Sequence, residues 1–415
     1  MGNIDSREID FSGRNLTHLP PEITQFKKMK KLYARKNFIE RIDSGLFRME
    51  NLQEISLREN LLREIPLGLF QLSQLTRLSL SFNQIRQVPR EIGFLVQLRM
   101  LALSGNLIES LPKEIGLLTK LDALDLQRNQ LETLPKEIGN LESIRILNVK
   151  HNQIGEIPDE IGNLKELIHL NLGFNKLKKL PATISNLGCL SELFLCCNEF
   201  QKAPSCIKQL ITLTELDLHS NKLVCFKYFD YPCLKKLNLA INQLSEIDDS
   251  IEKLECLQWL NLNDNRLQFI PKNIGKLSNL KKLGLVQNRL IKIPSSIGNL
   301  TNLEKLDVRR NSLTIFPKDI LRCKSLKELL LAENPLDTSS RLRTMGQHSL
   351  KYYCIRNLKR IEPLSFTLET YLKTGMPCES CSQMYYDKFY VQTKNVRIRD
   401  TEIPIELKLC SKECA

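Results

Sequence analysis

Residues 121–141 read LDALDLQRNQLETLPKEIGNL. Leu121, Leu124, Leu126, Leu131, Leu134, Ile138 and Leu141 hold the apolar positions, and Pro135 divides two different spacings. Leu124 and Leu126 alternate with Asp125, the period of a strand, so both leucines point to one side and Asp125 to the other. The chain must turn after them. Asn129 suits a turn that stacks against its neighbours, because an amide can both donate to and accept from backbone groups in a buried place. Pro135, with its fixed φ, opens a short helical or irregular return that carries Ile138 and Leu141 back toward the same core.

The same pattern surrounds Asn37, Asn60, Asn83, Asn106, Asn129, Asn152, Asn175, Asn198, Asn221, Asn242, Asn265, Asn288, Asn311 and Asn334. Each step is 23 residues except Asn221 to Asn242, which is 21. A degenerate first copy occupies residues 9–20, with Arg14 at the Asn position, giving about fifteen repeats. One such unit cannot bury its leucines alone, so the repeats must stack. The pattern resembles the leucine-rich repeat family, in particular its intracellular class with I-P-x-E-I-G-N-L returns, related in style to Ras-pathway scaffolds and plant Ras-group proteins. The resemblance covers residues 8–338, after an N-terminal segment of residues 1–7. It implies an α/β fold: a curved solenoid whose concave side is lined by a parallel sheet.

Length alone, at 415 residues, would suggest two or three independent domains, but a repeating chain removes that expectation. The excess of 60 Lys and Arg over 47 Asp and Glu raises the question of nucleic acid. Basic residues are interleaved with acids, as in Lys113-Glu114 and Lys136-Glu137, so most form a solvated face and no nucleic-acid partner is expected. Lys27, Lys28, Lys30, Lys31, Arg35 and Lys36 make the one concentrated basic patch, with no nucleic-acid motif around it. No run of about 18 apolar residues and no leader pattern occurs, so the expectation is a cytoplasmic chain. Its thirteen Cys are then read as reduced thiols, metal ligands or core residues. The start, Met1-Gly2-Asn3-Ile4-Asp5-Ser6, fits the N-myristoylation pattern with Gly2 as acceptor, and the Lys27–Lys36 cluster could add the electrostatic half of a peripheral membrane contact.

The Asn ladder sets the register of the solvent-facing strand positions. Lys31, Arg35, Lys36, Arg58 and Arg77 fall there early, and Lys282, Lys305, Arg309 and Arg310 late, so both ends are expected to be basic. Between them lie His151, His169, Phe174, Phe194, Cys196, Cys197, His219, Ile241 and Trp259. An aromatic strip inside a charged rim is the pattern of a protein-binding hot spot; the plainer alternative is ordinary tolerated exposure. The His and Cys side chains of this strip are spread over several coils and are not expected to share an ion. The shortened repeat packs Phe226, Tyr228, Phe229 and Tyr231 together, read as rings filling the gap left by a missing return.

Periodicity stops after Asn334, and the remainder divides into a helical cap, residues 339–373, and a small module, residues 374–415. Cys378-x2-Cys381 and Cys410-x3-Cys414, joined by strand-like sequence, can close a tetrahedral thiolate site for a structural zinc; unrelated thiols or two disulfides are the alternatives. Upstream, Leu350, Cys354 and Leu358 recur four residues apart, one apolar stripe of a helix that Ser349 would cap. That helix would either close the last repeat's core or dock in a partner's groove. It resembles the elongin-binding box. With Pro363, Leu368, Tyr371, Leu372, Cys378, Cys381, Cys410, Ser411 and Cys414, the tail is similar to that of leucine-rich repeat substrate receptors of elongin-cullin-RING ubiquitin ligases. Glu362 departs from their pattern, in which an apolar residue precedes the Pro, and this weakens the cullin expectation. No phosphate loop, nucleophile elbow, zinc-protease or kinase motif is present, so the chain is expected not to be an enzyme. The resulting expectation is a non-enzymatic protein-recognition chain, serving as a ligase substrate receptor that engages elongin and a cullin. The alternative is a Ras-type signalling scaffold anchored through Gly2.

Overall fold

A computed structural model describes residues 7–227 and 231–336, together with two strands, Tyr390–Ile398 and Thr401–Leu409. The chain divides into two compact units, Met1–Asn221 and Lys222–Ala415. In the first, ten three-residue strands from Glu8–Asp10 to Glu215–Asp217 run parallel and in sequence order. In the second, five more run from Lys236–Asn238 to Glu328–Leu330. Equivalent positions pair: Ala123 with Ile146, Leu124 with Leu147, Asp125 with Asn148. From the strand Lys31–Tyr33 to the strand Lys305–Asp307 the central Leu or Ile is buried, as Leu124, Leu147, Leu170 and Leu193 show at 0% exposure, while most of its neighbours are at least part-exposed; the central Ile9 and Leu329 of the two end strands are half-buried. One L-x-L pattern repeated in register therefore builds the core as a column of stacked leucines.

The turn after each strand is held by the Asn ladder. Asn129 Oδ1 accepts from the Ile108 amide at 3.0 Å, one coil back, and Asn129 Nδ2 donates to the carbonyls of Leu103 and Leu126, each at 3.0 Å. An amide is required because it must accept on one side and donate on the other. The first repeat has Arg14 at this position, and the Arg14 amide donates to Asn37 Oδ1 of the next coil at 2.9 Å. The residue before every ladder Asn has left-handed backbone, φ between 52° and 67°, yet only Gly105 among the fourteen is a glycine. The inter-coil bonds around the Asn offset the steric cost that Lys36, Phe174 or Ile241 carry in this region.

After each Pro the return is a five-residue 3-10 turn, as at Lys136–Asn140, with Pro135 just outside it at φ −66° and the Leu141 amide closing onto the Ile138 carbonyl. The expectation of a short helical or irregular return is met in its tightest helical form. Gly139 marks where successive returns touch: a Cβ there would lie 2.5 Å from the Glu160 carbonyl oxygen. Glycine recurs in I-G-N because a neighbouring backbone occupies the side chain's place.

In the second unit, Phe226 and Tyr231 are buried at 4% and 0% exposure, in agreement with rings filling the shortened coil; Tyr228 and Phe229 lie outside the described residues. The strand-like stretch expected between the paired cysteines is present as an antiparallel pair, Tyr390 opposite Leu409 and Ile398 opposite Thr401. Gly2, the box residues Leu350, Cys354 and Leu358, and the thiols Cys378, Cys381, Cys410 and Cys414 lie outside the described residues. Among the described residues no helix is long and apolar enough to cross a membrane.

Candidate functional site

Outward columns run across the strand face of the first unit, because residues 23 apart become neighbours. The column through Asp125, Asn148, Asn171 and Asp217 consists of side chains that fold back on their own backbone. Asp125 Oδ1 accepts from the Gln127 amide at 3.2 Å and Asp217 Oδ1 from the His219 amide at 3.0 Å. This second polar ladder was not anticipated from the sequence, although the recurring Asp or Asn four residues before the turn Asn was its visible signal. Phe194 interrupts it and leaves a ring on the face instead.

Seven of the nine strip residues belong to this unit, and the rings form pairs. His151 stacks on Phe174 with centroids 3.9 Å apart and planes at 26°, and Lys150 Nζ sits 5.0 Å from the Phe174 centroid. Phe174 and His151 both occupy the left-handed position, which lifts two large side chains from adjacent coils onto the same side. Burial holds the His151 imidazole below its usual range, helped by the positive Lys150 and Arg128. His169 lies 5.2 Å from Phe194, tilted by 43°, and its Nδ1 meets Glu192 Oε2 at 2.8 Å. All four rings are half-buried: packed along their sides, with part of each surface open. That is the geometry of preorganised anchors, which lose little side-chain freedom on contact with a partner.

Two expectations need correction here. Cys196 does not present itself on the surface; it is 4% exposed, sunk between coils, and burial drives its thiol up to about 12. The His and Cys residues are also not all apart. Donor atoms of Cys196, Cys197 and His219 lie within 4.8 Å of one another, with Cys197 Sγ 3.8 Å from His219 Nε2, whereas His151 and His169 stand in the ring pairs described above. The left-handed backbone at Cys197 breaks strand alternation, so two consecutive thiols reach the same neighbour. His219 Nδ1 meets Asp217 Oδ1 at 2.8 Å.

The remaining two strip residues belong to the second unit. Ile241 is 53% exposed, at the left-handed position, and Trp259 is half-buried in a strand between Lys236 and Lys282.

The expected basic rims are partly paired. In the first unit Lys31 pairs with Glu8 at 3.3 Å and Arg58 with Glu59 at 2.9 Å, while Arg35 and Arg58 lie over the rings of Tyr33 and Phe82. In the second, Lys305 pairs with Glu328 at 2.7 Å, Arg309 with Asp307 at 2.7 Å and Arg310 with Glu333 at 3.1 Å. Such exposed pairs add little stability, but they reduce the field a distant acidic partner would meet.

Stacked three-residue parallel strands, an Asn ladder at each turn and 3-10 returns define a solenoid of the leucine-rich type. The chain belongs to the leucine-rich repeat family: the family described as a leucine-rich repeat region matches residues 85–152, 136–229 and 222–398, and a second leucine-rich repeat family matches residues 27–85 and 50–108. Among solved structures, a leucine-rich repeat protein of Leptospira interrogans is 33% identical, with a TM-score of 0.72, over 80% of this chain and 92% of that one. The plant peptide hormone receptor RGFR1 in complex with RGF2 is 29% identical, with a TM-score of 0.61, over 76% of this chain and 61% of that one. The ectodomain of the Arabidopsis receptor kinase HAESA, bound to an IDA peptide hormone, is 25% identical, with a TM-score of 0.60, over 79% of this chain and 66% of that one. Among curated proteins, none matches. Members of this family bind protein partners, as those two receptor–peptide complexes show, and are typically non-enzymatic.

Proposed function

We propose that this chain selects a protein partner on the strand face of its first unit, using the His151–Phe174 and His169–Phe194 ring pairs as anchors, and that its tail delivers the captured protein to an elongin-cullin-RING ubiquitin ligase. The observation that carries the recognition half is the set of four half-buried rings, packed in two pairs on the strand face. Anchors of this kind contribute most of the binding energy in protein interfaces. The delivery half rests on the sequence resemblance at Leu350, Cys354 and Leu358, with structural zinc held by Cys378, Cys381, Cys410 and Cys414. A second reading, a signalling scaffold held at the membrane through Gly2, is favoured by the lipidation pattern at the start of the chain.

Affinity capture from cells separates these readings. The native chain is expected to retain elongin, a cullin and a partner. Leu350→Ala with Cys354→Ala is expected to lose elongin and cullin and keep the partner, and Phe174→Ala with Phe194→Ala to do the reverse. Absence of elongin from the native sample rejects the ligase reading, and labelling of Gly2 by a clickable fatty acid then supports the scaffold.

A further inference from the structure

In the first unit, two thiols and an imidazole from adjacent coils converge beneath the strand face. Cys196 and His219 occupy the same column one coil apart, and Cys197, at φ 52°, turns toward them. We propose that Cys196 Sγ, Cys197 Sγ and His219 Nε2 form a three-ligand site for zinc(II), with a fourth coordination position reached from the solvent-facing side of the sheet.

Geometry carries the assignment. Tetrahedral zinc with ordinary bond lengths sets sulfur–sulfur and sulfur–nitrogen separations of about 3.8 Å and about 3.6 Å. Here all three donor atoms fall within 4.8 Å of one another and the Cys197 Sγ to His219 Nε2 distance is 3.8 Å, so small side-chain rotations close the site. The outer shell is already built. Asp217 Oδ1, 2.8 Å from His219 Nδ1, accepts a hydrogen bond from the Nδ1–H tautomer of the imidazole, in which the Nε2 lone pair faces the thiols, the carboxylate–histidine arrangement that orients metal-ligating imidazoles. Asp217 is itself steadied by the His219 amide at 3.0 Å. The neighbouring coil leaves room: position 173 is glycine, and a Cβ there would lie 2.7 Å from Cys196 Sγ. Two sulfurs and one nitrogen select a borderline-soft ion over magnesium or calcium. On binding, each thiol releases its proton to solvent as its sulfur becomes a thiolate ligand, and the neutral imidazole binds without proton loss. Cys197 and His219 are half-buried, which leaves the ion approachable from one side.

This site is independent of partner recognition and is read by metal content, not capture. The full-length chain, loaded with zinc and desalted, is expected to hold one ion more than the Cys197→Ser variant, whatever the tail cysteines bind. Serine is compatible with that backbone, since Ser220 occupies the equivalent left-handed position one coil later at φ 54°. Cobalt(II) in place of zinc gives a second readout: the difference spectrum between the native chain and His219→Ala should contain a thiolate-to-metal charge-transfer band and tetrahedral ligand-field bands. X-ray absorption should find a nitrogen ligand, which an all-thiolate tail site cannot supply. Asp217→Asn should weaken the site about 10–100-fold with an unchanged circular dichroism spectrum. Equal zinc content in the native and Cys197→Ser chains, or a cobalt spectrum indifferent to His219→Ala, overturns the proposal.

Discussion

Asn129→Ala tests whether the ladder amides hold the coils together. The side chain makes three strong bonds, accepting from the Ile108 amide and donating to the Leu103 and Leu126 carbonyls, all at 3.0 Å. At about 1 kcal/mol net for each, their loss amounts to roughly 3 kcal/mol. The two carbonyls keep a partner after the substitution, because Asn106 Nδ2 also donates to Leu103 and Asn152 Nδ2 to Leu126. The Ile108 amide keeps none of the bonds seen here, and a buried orphan donor adds about 1–3 kcal/mol, so the total is about 4–6 kcal/mol. Urea denaturation followed by far-ultraviolet circular dichroism measures it, with the exposed Asn140→Ala as a control expected to shift stability by less than about 0.5 kcal/mol. Asn129→Asp sharpens the test. It keeps the acceptor but sets a carboxylate against two carbonyl oxygens, so it should destabilise at neutral pH at least as much as alanine. Burial raises such a carboxyl's folded pKa, so stability should return as pH falls and the protonated group can donate again. A loss below about 1 kcal/mol for Asn129→Ala would show that leucine stacking alone sets the coil geometry.

Two further outcomes follow from particular contacts. Gly139→Ala places a Cβ against the Glu160 backbone and should cost about 1–3 kcal/mol in the same denaturation assay, whereas Gly155→Ala, with open space around the added carbon, should be neutral or stabilising by up to about 1 kcal/mol; equal effects at both sites would sink the steric account. His151, held below its usual range by burial and by Lys150 and Arg128, should titrate by imidazole NMR at a pH below 6.5. Its neutral form then favours folding above the unfolded pKa, and that contribution is lost as pH falls through the folded value; a midpoint at or above 6.5 would contradict the packing described for the His151–Phe174 pair.

The repeating fold was legible in residues 121–141 because a strand's alternation, a turn amide and a proline-led return are local patterns, and repeating them 23 residues apart leaves one way to bury the leucines. The outward positions of Phe174, Phe194 and Trp259 followed from the same register. What each side chain meets across coils did not follow. Cys196 was readable as a strand-face residue but not as a buried thiol, since its cover comes from neighbouring coils. The basic rims were readable, but not that Lys31 and Arg310 pair with Glu8 and Glu333 of adjacent coils. The left-handed turn before each Asn is carried by Lys, Phe, Cys and Ile as well as by Gly105, so residue type gave no sign of it. Yet that turn is what brings Cys197 back beside Cys196 and His219. Periodicity is a property of one chain segment and is written in it. Contacts between atoms one coil apart depend on strand spacing, backbone handedness and rotamer together, and only the stacked structure sets those three at once.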